Sequence, residues 1–473
     1  MPNNDTSRPS PRPFVRSMKV FGVLLLTLSA ITPASSAFVI IPGIIQQAGT
    51  GALISLAAAA LVATAMAFVY AELASAWPLA GGEYAMAGRT LGPFAGFVLM
   101  GSIAVASNLA PAVLALGASA YLATVWPGAP PVPIAFAILA LATLSGILNV
   151  RLNAWVTGAF LLVEVLALAA VAALGFGHIV RPVAEVLAHP MIATPAGGLA
   201  PASWTAMGLA TTVAIFAYNG FGAAAYFGEE MHEAPQRIAR TILWALAVTL
   251  VLEFIPTLAV ILGAPDLKAL VTSASPFADF TAARGGRTLT VAISLGVALA
   301  ILNALIAIVL INARFLYASG RDGAWRRGVN IVFTALHPRF NSPWLATLFT
   351  GAVGMAACLL PFHLLLVLSG MNVVVIYALL SAGAIVGRLK GATDHAPYRM
   401  PLFPLAPVIV LVALAGVVVA NWTDPGVGRP SLLAAAALLA VFAAYYGLMR
   451  RWNRLRWVLA GPAENLTADL ELA

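Results

Sequence analysis

Thr32-Pro33-Ala34-Ser35-Ser36-Ala37-Phe38 stands in the middle of the first long apolar run of the chain, Val20 to Gln47. A run of this length crosses a bilayer, which takes about 20 apolar residues. Its centre nevertheless holds a proline and two adjacent serines. Pro33 has no N–H and its ring clashes with the preceding turn, so a continuous helix is disfavoured there. Backbone groups freed at membrane depth are satisfied by protein or by a water-lined cavity, never by lipid. The stretch therefore reads as a broken helix that presents N–H and C=O groups to a small solute. The competing reading is a kinked helix whose serine hydroxyls bond back to their own carbonyls.

The rest of the chain fits a membrane setting. Of 473 residues, 61% are hydrophobic and only 9% charged, with mean hydropathy +0.96; an average soluble protein carries about 25% charged residues. Cys358 is the single cysteine, so no disulfide forms within the chain. Lys19, the apolar Val20–Ile31 and the small Ser35-Ser36-Ala37 imitate a secretory signal. The apolar run continues past that point to Ile45, and a polar, proline-containing stretch precedes it, so residues 1–18 read as a disordered cytoplasmic tail.

Twelve apolar runs of spanning length follow one another, at 20–47, 51–76, 92–124, 131–149, 152–176, 202–228, 239–263, 287–319, 342–361, 364–388, 403–421 and 430–449. With the N-terminus inside, all but five of the 25 Lys and Arg fall in inner segments; the exceptions are Arg181, Lys268, Arg284, Arg287 and Arg429. An even number of spans puts both termini in the cytoplasm. The net charge of +8 is thus an orientation signal rather than a nucleic-acid footprint. The outer loops 177–201 and 264–286 are mildly polar, and residues 451–473 form a second cytoplasmic tail.

A second break falls in the sixth run, at Phe216-Ala217-Tyr218-Asn219-Gly220-Phe221-Gly222. Two glycines two residues apart weaken a helix, whereas a helix-dimer motif would space them four apart. A close-packed crossing is the alternative. Paired interruptions in corresponding spans point to an inverted repeat with its site at the interruptions. The halves are 20–176 and 202–388, five spans each, with 403–449 as two added helices inside one transporter domain, 19–450. Glu164 and Glu253 lie near the centres of the fifth and seventh runs, where a charge costs roughly 2.5–3.5 kcal/mol. Each is either a proton or cation relay or a protonated hydrogen-bonding group between helices. Asn108, Asn303, Asn312, Ser369 and Asn372 are softer polar signals at depth. The six histidines show no metal-ligand spacing, no phosphate-cradling glycine loop is present, and no nucleophile shares a depth with a base, so neither a metal, a cofactor nor an enzyme activity is expected.

Several segments together resemble the amino acid–polyamine–organocation transporter superfamily: Ala34-Ser35-Ser36-Ala37-Phe38 with Ile41-Pro42; Tyr70-Ala71-Glu72-Leu73 with Pro78-Leu79-Ala80-Gly81-Gly82-Glu83-Tyr84; Phe216-Ala217-Tyr218-Asn219-Gly220-Phe221 with Glu229-Glu230; and Arg314-Phe315-Leu316-Tyr317 with Arg321-Asp322-Gly323. The resemblance covers about residues 20–450. It implies an all-α, leucine-transporter-type fold of twelve helices, a 5+5 inverted repeat plus two. It also implies alternating access and uptake or exchange of amino acids across the cytoplasmic membrane. Substrate contacts fall on Thr32, Ala34, Ser35 and Ser36 of the first break and Phe216, Tyr218, Asn219 and Gly220 of the second, with Phe216 as the gate. Glu164 matches a position that holds a lysine in several members, and Asn303 lies on the facing wall. Here the chain departs from the family: Ala34 and Ser36 replace two glycines, Gly222 replaces an acidic residue, and Glu164 inverts a charge.

The expected function is secondary transport of an amino acid or small amine, proton-coupled or by exchange against a counter-substrate, in contact with lipid and not nucleic acid. An importer of amino alcohols or polyamines is the nearest alternative, and a channel or sensor without transport the more distant one. The sequence leaves the oligomeric state open, a homodimer included.

Overall fold

The computed structural model describes residues 14–459 apart from 126, 127, 129, 149, 195–197, 363, 366–370, 427 and 452–456. Ser369, most of the N-terminal tail and the chain beyond 459 lie outside the described residues. The labelled helices are α1 (Val20–Ile31), α2 (Ile41–Ala48), α3 (Ala52–Ala76), α4 (Glu83–Leu91), α5 (Pro93–Val125), α6 (Pro131–Ile147), α7 (Val150–Phe176), α8 (Trp204–Ala217), α9 (Ala234–Gly263), α10 (Pro276–Arg321), α11 (Trp344–Ala357), α12 (Asn372–Leu389), α13 (Leu405–Thr423) and α14 (Gly428–Arg451). Among the described residues, nine helical stretches are long and apolar enough to cross a membrane, and α6 and α11 are shorter apolar helices. The protein is a mostly helical, multi-pass membrane protein.

Its surface and interior follow the solvent they meet. Large apolar side chains such as Leu61, Trp155, Leu166 and Val412 are exposed, while Glu72, Glu164, Glu253, Asn303 and Arg314 are buried. Intramembrane polar groups turn toward the bundle because lipid offers them no partner. Asn108 donates to the Ala104 carbonyl at 2.8 Å, Asn312 to that of Ser107 at 2.6 Å, and Asn372 accepts from Ser102 at 3.0 Å. The Asn312 and Asn372 bonds tie α10 and α12 to α5, whereas Asn108 bonds back within α5 itself.

α1 ends where the chain turns left-handed at Thr32, φ 51° and ψ 73°, with the Thr32 N–H still bonded to the Leu28 carbonyl at 2.9 Å. A β-branched residue is rare in this conformation. Pro33 then opens a new turn, Pro33–Ser35, in the first helical position, where its missing N–H costs nothing. A wider, π-helical turn over Ser36–Ile40 leads into α2. The interruption is therefore sharper than the sequence indicates and sits one residue before Pro33. Ala34, Ser35 and Ser36 belong to the resumed helix, because the proline starts a helix instead of breaking one.

The second interruption runs over Tyr218–Gly220, after which Phe221–Glu230 continues as tighter 3₁₀ turns. Gly220 has φ 120°, and a Cβ there would lie 2.8 Å from Ile31 Cγ1 and 3.3 Å from Ile31 Cα. Only glycine accepts both the torsion and the contact. The turn after α8 is thus seated on the last residue of α1. α7, α9 and α10 surround α1 on its other sides.

Two loops carry structure of their own. Residues 177–201 hold a short helix, Val183–Ala188, and a two-stranded antiparallel hairpin, β1 (Met191–Ala193) with β2 (Leu199–Pro201). α10 begins at Pro276, eleven residues before the expected start, and bends at Gly286, φ 74°. The Gly285-Gly286 pair that looked like loop is a kink inside a longer helix.

One end of the bundle is closed by ionic contacts. Arg388 grips Glu72 with two hydrogen bonds of 2.9 and 2.6 Å, Arg321 grips Glu229 at 2.8 and 2.7 Å, and Arg314 pairs with Glu230. Residues 14–18, expected as part of a disordered arm, join this closure. The Ser17 and Met18 N–H groups both donate to the Glu230 carbonyl at 2.9 Å, and His232 N–H donates to the Met18 carbonyl at 2.9 Å. The Phe14 ring packs 4.4 Å from that of Tyr317, with the Arg314 guanidinium 5.9 Å from its centroid.

Candidate transport site

The resumed helix after Thr32 has N–H groups with no carbonyl one turn back to receive them. Glu164, fully buried on α7, fills this need. Its Oε1 accepts the Ala34 N–H at 2.7 Å and the Thr32 hydroxyl at 3.3 Å. A carboxylate at a helix N-terminus also meets the positive end of the helix dipole, worth about 0.3–2 kcal/mol. The same contact holds Thr32 in its left-handed turn. Glu164 Oε2 has no hydrogen-bond partner among the described residues.

Below the break, the Ser29 hydroxyl donates to the Thr157 carbonyl at 3.4 Å and accepts from Asn303 Nδ2 at 3.0 Å. Asn303 Oδ1 has no hydrogen-bond partner among the described residues. Across the break, the Ser36 hydroxyl donates to the Ala217 carbonyl at 3.2 Å, which ties the resumed first helix to the carbonyl end of α8. Glu253, on α9, is buried near Ser36, Tyr218 and Glu164. Neither of its oxygens, nor the Tyr218 hydroxyl, has a hydrogen-bond partner among the described residues. The structure thus brings Thr32, Ala34, Ser36, Tyr218, Gly220, Glu164 and Glu253 around the two breaks, with Asn303 one turn away at Ser29. Ser35 is buried on the first turn of the resumed helix.

Asn219 is engaged by α12. Asn219 Oδ1 accepts the Tyr377 hydroxyl at 2.7 Å, and Tyr377 lies in a ring cluster with Tyr70 and Phe221. Phe216 is 44% exposed, whereas Tyr218 two residues on is fully buried. Tyr218 also borders an open depression between α3 and α9 with Ala57, Leu250 and Phe254. That depression is almost wholly apolar and suits lipid chains, not a polar solute.

Tyr377, Ser29 and Thr157 went unnoticed in the sequence because single tyrosine, serine and threonine residues in apolar helices most often pack. The motif residues of the closed end carried a signal but no partner. Besides the ion pairs, Glu83 accepts from Tyr70 at 3.0 Å and from Tyr226, and Asp322 accepts from Tyr84 at 3.1 Å. Gly222 leaves room for this cluster, since a Cβ there would lie 2.4 Å from the Tyr70 ring. Burial raises the Glu83 carboxyl above its usual range, against the pull of the Tyr226 hydrogen bond, its own backbone contact and Tyr70. Burial likewise pushes Asp322 up to about 6, against the attraction of Arg321.

Comparison with known proteins agrees with this architecture. An uncharacterized transporter of Mycobacterium tuberculosis (strain ATCC 25618 / H37Rv) is 30% identical over 408 residues, 85% of this chain and 84% of the relative. The methylthioribose transporter of Bacillus subtilis (strain 168) is 25% identical over 412 residues, 83% of this chain and 86% of that one. The crystal structure of a manganese transporter mutant from Eremococcus coleocola superposes with a TM-score of 0.54, covering 91% of this chain and 92% of that one. At 13% identity that likeness speaks for the fold alone. The amino acid permease family model matches residues 18–444. With nearly the whole chain matched, this protein is a transporter and not an enzyme, and it belongs to the amino acid permease family of the amino acid–polyamine–organocation superfamily.

Proposed function

We propose that the chain carries amino acids across the cytoplasmic membrane by alternating access, driven by protons through Glu164. The architecture in this reading is twelve spans, five and five in inverted repeat plus two, with both termini in the cytoplasm. The observation that carries it is the Glu164 contact to Ala34 N–H and the Thr32 hydroxyl. An ionised Glu164 holds the start of the resumed helix with two donors and the helix dipole. A protonated Glu164 is a weaker acceptor and needs a partner for its own proton, so the helix is released. The carboxylate of an amino acid would then take over the vacated Ala34 N–H. Proton and substrate would enter together because the substrate carboxylate gains that N–H only when the proton has neutralised Glu164.

The closed end in this reading faces the cytoplasm, so the described state is shut on that side by Glu72–Arg388, Glu229–Arg321 and Glu230–Arg314. Opening would break these pairs while the breaks at Thr32 and Gly220 act as hinges.

Glu164→Gln offers Ala34 N–H an amide oxygen in place of the carboxyl oxygen and removes the titration. Uptake into proteoliposomes is measured against external pH for both proteins. The expected result is that the variant still binds and exchanges substrate but does not accumulate it against its gradient. The same pH profile and accumulation ratio in both would assign Glu164 to helix packing alone.

A further inference from the structure

The paired breaks hold acceptors without donors. Glu164 already has two donors on Oε1. Glu253 has none that reaches hydrogen-bond geometry, although its side chain is fully buried. The groups that face it are the Ser36 hydroxyl, already given to the Ala217 carbonyl, the Tyr218 hydroxyl, and Glu164. No Lys or Arg is among them. Arg314, buried elsewhere in the bundle, is spent on Glu230 and the Leu310 carbonyl. Around one short gap in two helices, Glu164 Oε2, both Glu253 oxygens, Asn303 Oδ1 and the Tyr218 hydroxyl are all unpartnered among the described residues.

A buried carboxyl left without a partner costs several kcal/mol, and native structures seldom keep one without a use. Four of the five unpartnered atoms can only accept when the carboxyls are ionised, and the fifth, a phenol, can accept as well as donate. The matching ligand is one rich in donors and positive in charge. A primary ammonium brings three donors and one charge. The tyrosine ring adds a face to which an ammonium is drawn. Charge counting leads to the same ligand. Two carboxyls with no protein cation are balanced by one proton, as proposed for Glu164, and one further cation. A neutral zwitterion supplies that cation only by adding a third carboxylate.

We propose that Glu253, with the Tyr218 hydroxyl, is the ammonium-binding subsite of this transporter and selects substrates of net positive charge, a basic amino acid or a diamine, over neutral zwitterions. This rests on the reading that the paired breaks form the transport site, and it deepens that reading by naming the substrate class. Glu253 is then a substrate-binding group and not a second proton carrier.

The test is ligand-dependent thermal stabilisation of the full chain, purified in detergent, with L-lysine, 1,4-diaminobutane and L-leucine as probes. Lysine, diaminobutane or both should raise the midpoint in a saturable way at concentrations where leucine does not. Lysine alone would mean that the carboxylate is also held, through Ala34 N–H; diaminobutane alone, that it is excluded. Glu253→Gln, nearly the same size, should weaken the cation response at least ~10-fold while leaving the unliganded midpoint close to wild type. Tyr218→Phe should weaken it by about threefold or more. Leucine acting as strongly as the cations, no response to either cation, or a Glu253→Gln affinity within twofold of wild type would overturn the proposal. If Glu253→Gln does not fold, the wild-type rank order and Tyr218→Phe decide. Binding in detergent needs no gradient, so failure here is distinct from failure of proton coupling, which is read only from accumulation by Glu164→Gln.

Discussion

Two residues, Gly220 and Glu164, set the geometry of the site by opposite means. Gly220 works by absence: its φ of 120° and the Ile31 atoms beneath it leave no place for a side chain. Gly220→Ala should therefore cost about 1–3 kcal/mol, through torsional strain and contact with Ile31. A lowered thermal midpoint together with slowed uptake is expected, and unchanged values of both would mean that the two breaks are not locked together. Glu164 works by presence. Its value as a capping group was hidden in the sequence, because the N–H it receives is 130 positions away in the chain. The sequence showed a carboxyl at an expensive depth. It did not show that the partner is backbone, since a backbone donor carries no residue-type signal.

The same holds among elements. Both helix interruptions were legible, one from Pro33 and one from the glycines around Asn219, because these residue types act on the backbone locally. The position of the first was less so: proline is disfavoured inside a helix but favoured at its start, and the sequence alone does not say which applies. Gly285-Gly286 posed the reverse problem, a pair that suggests a loop and yields a bend within α10. The contact between α3 and α12 depends on Arg388 and Glu72, which are 316 positions apart. Arg388→Met leaves the fully buried Glu72 carboxylate without its counter-ion, holding only the Thr393 hydroxyl and the Met400 N–H among the described residues, and breaking such a pair costs about 3–5 kcal/mol. A drop of that size in unfolding free energy is the expected outcome, with Glu72→Gln/Arg388→Met recovering part of it. A double variant no better than the single would show that the guanidinium matters through its packing on Phe403 instead.

The Tyr84–Asp322 contact joins the start of α4 to the end of α10 and carries its own pH dependence. The Asp322 carboxyl is raised to about 6 from the ordinary aspartate value of 3.8. Between those pH values the folded state holds the proton more tightly than the unfolded state. Stability at this junction therefore falls as pH rises from about 4 to about 6 and is level above. Asp322→Asn should remove that slope from the pH profile of the thermal midpoint, and an unaltered slope would assign it to another carboxyl such as Glu83.

At the scale of the whole molecule, composition and charge placement carried most of the information. Apolar runs separated by basic inner loops describe a membrane bundle whatever the details of its site. Reporter fusions at Pro9 and Gly461 should both read cytoplasmic; one reading outside would revise the span count by one. Long-range closure was the least legible property, because Glu72, Glu229, Glu230, Arg314 and Arg321 stand in recognisable motifs that do not say which residue pairs with which.

The N-terminal clip has a consequence for how the protein is made. Ser17 and Met18 leave the ribosome well before Glu230, whose carbonyl receives their N–H groups, and Phe14 well before Arg314, whose guanidinium lies over its ring. Residues up to Glu230 must be synthesised before Ser17 and Met18 have anything to hold, and up to Arg314 before Phe14 does. Until then Phe14 and Met18, both buried in the finished fold, have no cover and must wait in water or against lipid headgroups. The end of the bundle that is shut in the mature protein is thus necessarily open throughout most of its assembly, and it closes only once α10 has been delivered to its place.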